Sequence, residues 1–437
     1  MTVRSLAERV FTTMLLCGII AVTMLTSTGC SLSLQADPAG SQAGDSYLPG
    51  RVHPPLTKAQ EAFKDWKFGM FIHWGLKSLP PGSQTPAHFS ASKFSARAWV
   101  RLAQESGMKY ITFTAKHDWA QSLALWDNSP LDTWNSVDAA AAHKDFVRLL
   151  ADECHRQKIP LFIYFPVTDV HYPNAKPDNA AYRTYYLAEV RQLLTKYGPL
   201  AGFWFDGGSL IGTYHGQPVA DLIHQEDGLV MPYDFYVSEK TTTTTTTYDP
   251  QGKLLNFPIP SPAPNGWPFE VCDTINNSWF YNNNDKAYKD TTTLLRKLAE
   301  IVGKGGNYLL DQGPLGSGAI DPEDATRLRA MGAWLKKNGA AIYGTRPGPI
   351  PPQAWGYPVQ KGKRIYLHVL NWPSGNELIL PGLGSGVRRA SVLNGKRLPL
   401  KRSSEGLAIR LPESARDPID TIIVLDRQGG PRKAEPR

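Results

Sequence analysis

The segment YGPLAGFWFDGG, residues 197–208, carries an apolar run through Phe203, Trp204 and Phe205 straight into Asp206. A carboxylate in that position is either a buried acceptor or a chemical tool, and Gly207 and Gly208 leave space beside it. Similar polar endings recur along the chain. FGMFI runs into His73 and Trp74, YITFT into Lys116 and His117, and IPLFIYF contains Tyr164 with Asp169 just beyond. NYLLDQGP ends on Asp311 and Gln312. Each of these groups alone also fits a satisfied core residue. Their recurrence at the same end of successive apolar runs favours one shared mouth. His73, His117, His155 and His171 lack H-E-x-x-H spacing, and neither a G-x-S-x-G elbow nor a P-loop occurs. The expectation is therefore no metal. Carboxylates among aromatic rings suit glycoside hydrolysis: one carboxyl attacks or activates water, a second protonates the leaving oxygen, and aromatics stack on the sugar ring.

Such groups need a frame that brings strand ends together. Apolar runs alternate with helix-period segments from FGMFIHW at 68–74 through ARAWVRLAQESG, KYITFTAKH, HKDFVRLLADECHRQK, IPLFIYF, AAYRTYYLAEVRQLLTKYG and AGFWFD. Weaker units, PVADLIHQED and GLVMP, follow, then TTTLLRKLAEIVGKGG, NYLLDQGP and DPEDATRLRAMGAWLKKNG. Phe146, Leu149, Leu150 and Cys154 form one predicted helical stripe. Continuous apolar strands between helices imply a parallel sheet with both faces covered. The predicted class is α/β, a (β/α)8-like TIM barrel, with an open doubly wound sheet as the alternative; no G-x-G-x-x-G follows a strand. After residue 345 short strands punctuated by Gly, Pro and Asn predict a C-terminal all-β sandwich. The run KTTTTTTTYDPQG, 240–252, reads as a polar surface loop.

The chain has 437 residues, 42% hydrophobic and 20% charged, in the range of an ordinary globular protein. Its net charge of +8 is spread out, without a basic stripe, which argues against nucleic acid as a partner. Residues 1–30 have the charged, apolar and small-residue order of a signal peptide, ending TSTGC. Small residues before Cys30 resemble a bacterial lipoprotein box, so the expectation is an exported protein of the periplasm or outer membrane. Its membrane contact would be a lipid on Cys30. The expected layout is signal peptide 1–30, linker 31–55, barrel 56–344, sandwich 345–430 and tail 431–437. Cys154 and Cys272 are expected as two buried thiols.

KFGMFIHWG, YITFTAKH, LWDNS, YGPLAGFWFDGG, FEVCDTINNSWFY and IVGKGGNYLLDQGPLGSGAI together resemble the α-L-fucosidases of glycoside hydrolase family 29, in the family's order. The resemblance runs from about residue 58 to 345, and AAIYGTRPGP with the trailing strands resembles that family's C-terminal sandwich. It implies a retaining, cofactor-free exo-glycosidase acting on fucosylated oligosaccharides or glycoconjugates. Asp206 matches the nucleophile, and Trp204 would lie under the sugar. DFYVSEK resembles the segment bearing the acid/base, which points to Glu239, with Glu270 as the alternative or as a supporting group. His73, Trp74, His117, Tyr164 and Trp279 are the implied substrate contacts. The chain departs from the family at KHDWAQ, where Asp118 replaces a second His and extra residues follow. It also lacks a clear Glu-Trp pair after the first strand, and Asp311 replaces a common Asn. These departures keep two other readings open: an exo-glycosidase for a fucose-like sugar (an L-galactose or D-arabinose glycoside), and a non-catalytic carbohydrate-binding lipoprotein.

Overall fold

The computed structural model describes residues 55–176, 179–206, 216–226, 228–231, 234–240, 245–248, 254–255, 266–383 and 386–427. The signal peptide, Cys30, Gly207, Gly208 and the tail lie outside the described residues. Helix α1 (Lys58–Trp66) opens on a capping box, in which the Thr57 side chain accepts the Gln60 N–H and the Gln60 side chain accepts the Thr57 N–H. Five later helices open on capping side chains as well. They are α2 (Ala96–Glu105, Ser95), α3 (Phe146–Gln157, Asp145), α4 (Ala180–Lys196, Asn179), α6 (Thr291–Gly303, Asp290) and α7 (Pro322–Asn338, Asp321). Helix α5 spans Gly216–His224. On α3 the buried line is Phe146, Val147, Leu150, Ala151 and Cys154, whereas Leu149 is exposed. The predicted stripe was one residue off because the i, i+4 pairs, not Leu149, face the sheet.

Eight strands form one run of parallel ladders. They are β1 (Phe68–Ile72), β2 (Tyr110–Thr114), β3 (Leu161–Pro166), β4 (Gly202–Asp206), β5 (Leu229–Met231), β6 (Tyr236–Lys240), β9 (Phe269–Thr274) and β10 (Asn307–Gln312). Their order is β5-β4-β3-β2-β1-β10-β9-β6. Side chains of both end strands, Leu229 and Met231 of β5 and Val237 of β6, share one buried cluster with Phe71, Tyr110, Phe162, Tyr164, Trp204, Cys272 and Leu309. The sheet is therefore curled around an interior filled by side chains, as the barrel reading requires. Phe63 of α1 plugs this interior, with its ring within 6 Å of Tyr110, Phe162 and Phe235. Gly69 is bare for a reason: a Cβ there would stand 2.3 Å from the Tyr110 ring, which lies across the β1 backbone. Cys154 and Cys272 are both buried, behind the sheet and inside it respectively, and form no disulfide.

One expectation needs correction. Thr245–Tyr248, within the presumed surface loop, forms strand β7, antiparallel to β6, and Leu254–Leu255 adds β8 beside it. Threonine is β-branched and suits an extended ladder, which a reading based on polarity alone overlooks.

Beyond Gly344 the chain forms a six-stranded and a three-stranded antiparallel sheet. Alternation decides what each face covers. Ile365, Leu367, Ile423 and Leu425 pack into the core between the two sheets with Leu378, Leu380, Leu407 and Ile409. Tyr366, Ile422 and Val424 face the other way and belong to the same cluster as the barrel helices. The sandwich thus braces the barrel through an apolar seam.

Candidate active site

Strand ends β1 to β4, with β9 and β10, bring a ring of polar and aromatic groups to one mouth. Asp206 is the last residue of β4 and is half-buried. The Tyr164 hydroxyl, from neighbouring β3, donates to Asp206 Oδ2 at 2.5 Å. Tyr164 stacks on Trp204 (5.6 Å, 20°) on one side and on His117 (5.0 Å, 11°) on the other. This continuous ledge comes from three adjacent strands. His73 stands across from it, 5.6 Å from the Tyr164 ring and 5.5 Å from that of His117. Trp279 and Phe280 cover His73 at 5.0 and 5.5 Å, and Phe280 reaches His117 at 5.1 Å.

Electrostatics keep both histidines neutral. Burial pulls His73 down to about 3 against the opposing pull of Asp206. Burial and the neighbouring His73 bring His117 to about 3 as well. The Trp119 backbone N–H donates to His117 Nδ1 at 3.1 Å, so the neutral ring carries its proton on Nε2 and is a hydrogen-bond donor there. His73 Nδ1 lies 2.7 Å from Asp311 Oδ1. Burial lifts the Asp311 carboxyl well above its ordinary range, and its Oδ2 has no partner among the described residues.

Beneath the ledge sits Glu270, only 1% exposed. It accepts the Trp204 indole N–H at 3.0 Å and a short hydrogen bond from the Tyr110 hydroxyl. Burial raises it to about 7, partly offset by those two donors. Glu270 therefore lies below Trp204 and holds the floor of the site through that indole. Glu239 lies on β6, where its backbone pairs in register with Cys272 of β9.

Other expected contacts separate on inspection. Trp74 is fully buried on the helix side of the sheet, against Phe89, Phe94, Trp99 and Phe146, with its indole donating to the Leu315 carbonyl. It is a core residue and not a sugar contact, because its ring is enclosed by those four aromatic side chains. Lys116 likewise turns outward into a buried triad, 2.8 Å from Asp169 and 2.6 Å from Glu189 of α4. Burial pulls this ammonium down, but Glu189 and Asp169 outweigh it and hold it above its ordinary value. Asp169 also accepts the His171 and Tyr172 N–H groups, so the triad fixes the loop after β3. Sequence reading missed Tyr110, Phe280 and Glu189. Phe280, next to Trp279 in NNSWFY, was visible as a second aromatic; Glu189, within a helix, gave no local signal.

The α-L-fucosidase family model matches residues 83–340. Among curated relatives, plasma α-L-fucosidase of Rattus norvegicus is 28% identical over 416 residues, covering 80% of this chain and 86% of that protein. Tissue α-L-fucosidase of Homo sapiens is 27% identical over 413 residues, covering 80% and 84%. Among solved structures, α-L-fucosidase isoenzyme 1 from Paenibacillus thiaminolyticus superposes with a TM-score of 0.71 at 25% identity, over 85% of this chain and 99% of that one. A family 29 α-L-fucosidase from Bacteroides thetaiotaomicron, trapped as a covalent intermediate, shares the fold with a TM-score of 0.73 at 22% identity, over 86% and 98%.

Proposed function

The chain belongs to the α-L-fucosidase family, and from that premise we propose that it is a retaining exo-glycosidase releasing terminal α-L-fucose from glycans, with Asp206 as nucleophile. The observation that carries the assignment is Asp206 at a strand end, held by the Tyr164 hydroxyl inside a ring of His73, His117, Trp204 and Trp279. The mechanism runs in two displacements. Asp206 attacks the anomeric carbon while the acid/base protonates the departing glycosidic oxygen, giving a glycosyl ester. The same residue, now ionised, takes a proton from water, which attacks the anomeric carbon, expels the Asp206 carboxylate and restores the original configuration. Glu239 is assigned this acid/base role on the DFYVSEK resemblance and its place in the inner ladder beside β9. His117, with its proton on Nε2, donates to a sugar hydroxyl. Trp204, steadied by Glu270, supports the ring. Export and a lipid on Cys30 belong to the same proposal, and labelling of Cys30 with palmitate tests them.

The experiment is hydrolysis of 4-nitrophenyl α-L-fucoside by wild type, Asp206→Asn and Glu239→Ala. Asp206→Asn is expected to lose at least about a thousandfold in kcat with its fold intact. Glu239→Ala is expected to recover turnover with azide. Near-normal turnover in Asp206→Asn sinks the nucleophile, and no azide rescue in Glu239→Ala sinks the acid/base.

A further inference from the structure

Four large apolar side chains stand out as exposed among the described residues, and the two most exposed are Trp119 at 61% and Val170 at 63%. Both lie at the rim of the mouth, one in the loop after β2 and one in the loop after β3. Trp119 is one ring outward from the site: its indole lies 5.4 Å from the His117 ring, and its backbone N–H holds His117 Nδ1. The two loops are tied together by Asp118. The Thr168 hydroxyl donates to Asp118 Oδ2, and the Ser122 hydroxyl donates to Oδ1 at 3.4 Å. Ser122 Oγ in turn accepts the Val170 N–H at 3.0 Å. The Lys116–Asp169 pair anchors the same stretch from below. Both Asp118 oxygens are thus engaged in holding loops. An indole left this open to water forgoes much of its burial free energy, and beside a pocket such a surface marks a place for a ligand with an apolar face.

On the glycosidase reading given above, we propose that Trp119 and Val170 form a stacking platform for the leaving group, a pyranose ring on the far side of the scissile bond, and that Asp118 is the positioning residue that presents it. Among the described residues, these two side chains are the large apolar ones left exposed at the rim. The sugar being attacked occupies the space among His73, His117 and Trp204, so its neighbour must extend toward solvent over the rim. A pyranose has a C–H face that packs flat on an indole. Asp118, where the family pattern has a histidine, here links two rim loops.

The test compares two substrates that share the fucosyl unit: an α-L-fucosyl disaccharide and α-L-fucosyl fluoride, whose leaving group has no ring. In Trp119→Ala the ratio of kcat/KM for disaccharide over fluoride is expected to fall about tenfold. Trp119→Phe, which keeps a ring, is expected to restore most of it, and Asp118→Ala to lower the ratio in the same direction. An unchanged ratio in Trp119→Ala overturns the platform. Hydrolysis of neither substrate by wild type would instead overturn the fucosidase reading. In that case quenching of tryptophan fluorescence by methyl β-D-galactoside in wild type, lost in Trp119→Ala, supports the platform, and no quenching in wild type overturns it.

Discussion

Glu270 lies buried inside the barrel with two hydrogen-bond donors, the Tyr110 hydroxyl and the Trp204 indole, and no cation beside it among the described residues. Burial lifts its folded value from 4.5 to about 7. The sign follows directly. Between the unfolded and the folded value the native state binds more protons than the unfolded chain, so the stability held below pH 4.5 is lost as pH rises through 7. The shift corresponds to roughly 3 kcal/mol. Glu270→Gln removes the titration while keeping an acceptor for Trp204. Its unfolding free energy relative to wild type is therefore expected to improve steadily from pH 4.5 to 7 and to stay level above. Denaturant unfolding at a series of pH values reads this, and a constant difference would mean that Glu270 does not titrate in that window. Glu270→Ala removes the titration too, but it also takes away the acceptor that the Tyr110 hydroxyl and the Trp204 indole use, and is expected to lie about 2–3 kcal/mol below Glu270→Gln at every pH. His73 and His117, held near 3, contribute no ionisation to the activity profile above pH 5.

At the scale of elements, the loops after β2 and β3 hang on the buried triad of Lys116, Asp169 and Glu189. The Tyr185 hydroxyl and the Asn128 amide complete Glu189 Oε1 at 2.9 and 3.3 Å. Removing the one cation leaves two carboxylates in the interior. Lys116→Met is thus expected to cost about 3–5 kcal/mol, and adding Asp169→Asn and Glu189→Gln to recover most of it. Chemical denaturation of the single and triple variants checks this, and a loss below about 1 kcal/mol in Lys116→Met would show that the triad holds little. The same triad explains which parts of the site were legible in the sequence. Strand ends are local features, so Asp206, His73, His117 and Tyr164 could be picked out and do converge. The face on which a side chain lies past the last ladder residue is not local. Lys116 and Trp74 turn to the helix side because Glu189, Phe89 and Phe146 wait there, and none of these is near in sequence. Glu270 was legible as a candidate, but its depth depends on Tyr110 crossing Gly69 on another strand. The threonine run failed for another reason, since polarity suggested a loop while β-branching suited a strand.

For the whole molecule the question is what couples the sandwich to the barrel, and apolar alternation is only part of the answer. His368 sits fully buried in the seam, with Nδ1 2.6 Å from Asp420 Oδ2 and Nε2 3.1 Å from the Ala341 carbonyl at the end of the barrel. Both partners are acceptors, so both ring nitrogens must donate and the ring is an imidazolium. Burial pulls this histidine down, but Asp420, with help from Ala341, outweighs it and leaves it above its ordinary value of 6.5. A histidine raised in the folded state stabilises fully below about pH 6.5, and that contribution fades as pH climbs through the folded value. His368→Gln keeps the approximate size and loses the charge. It leaves Asp420 buried without its cation, which is expected to cost about 3–5 kcal/mol at pH 6. The gap to wild type should then narrow as pH is raised toward 9, because wild type itself loses the charge. The two proteins are to be compared by denaturant midpoint from pH 5.5 to 9. Equal midpoints for the two proteins across that range would mean that the seam is held by packing alone, with Tyr366, Ile422 and Val424 sufficient to join sandwich and barrel without the ion pair.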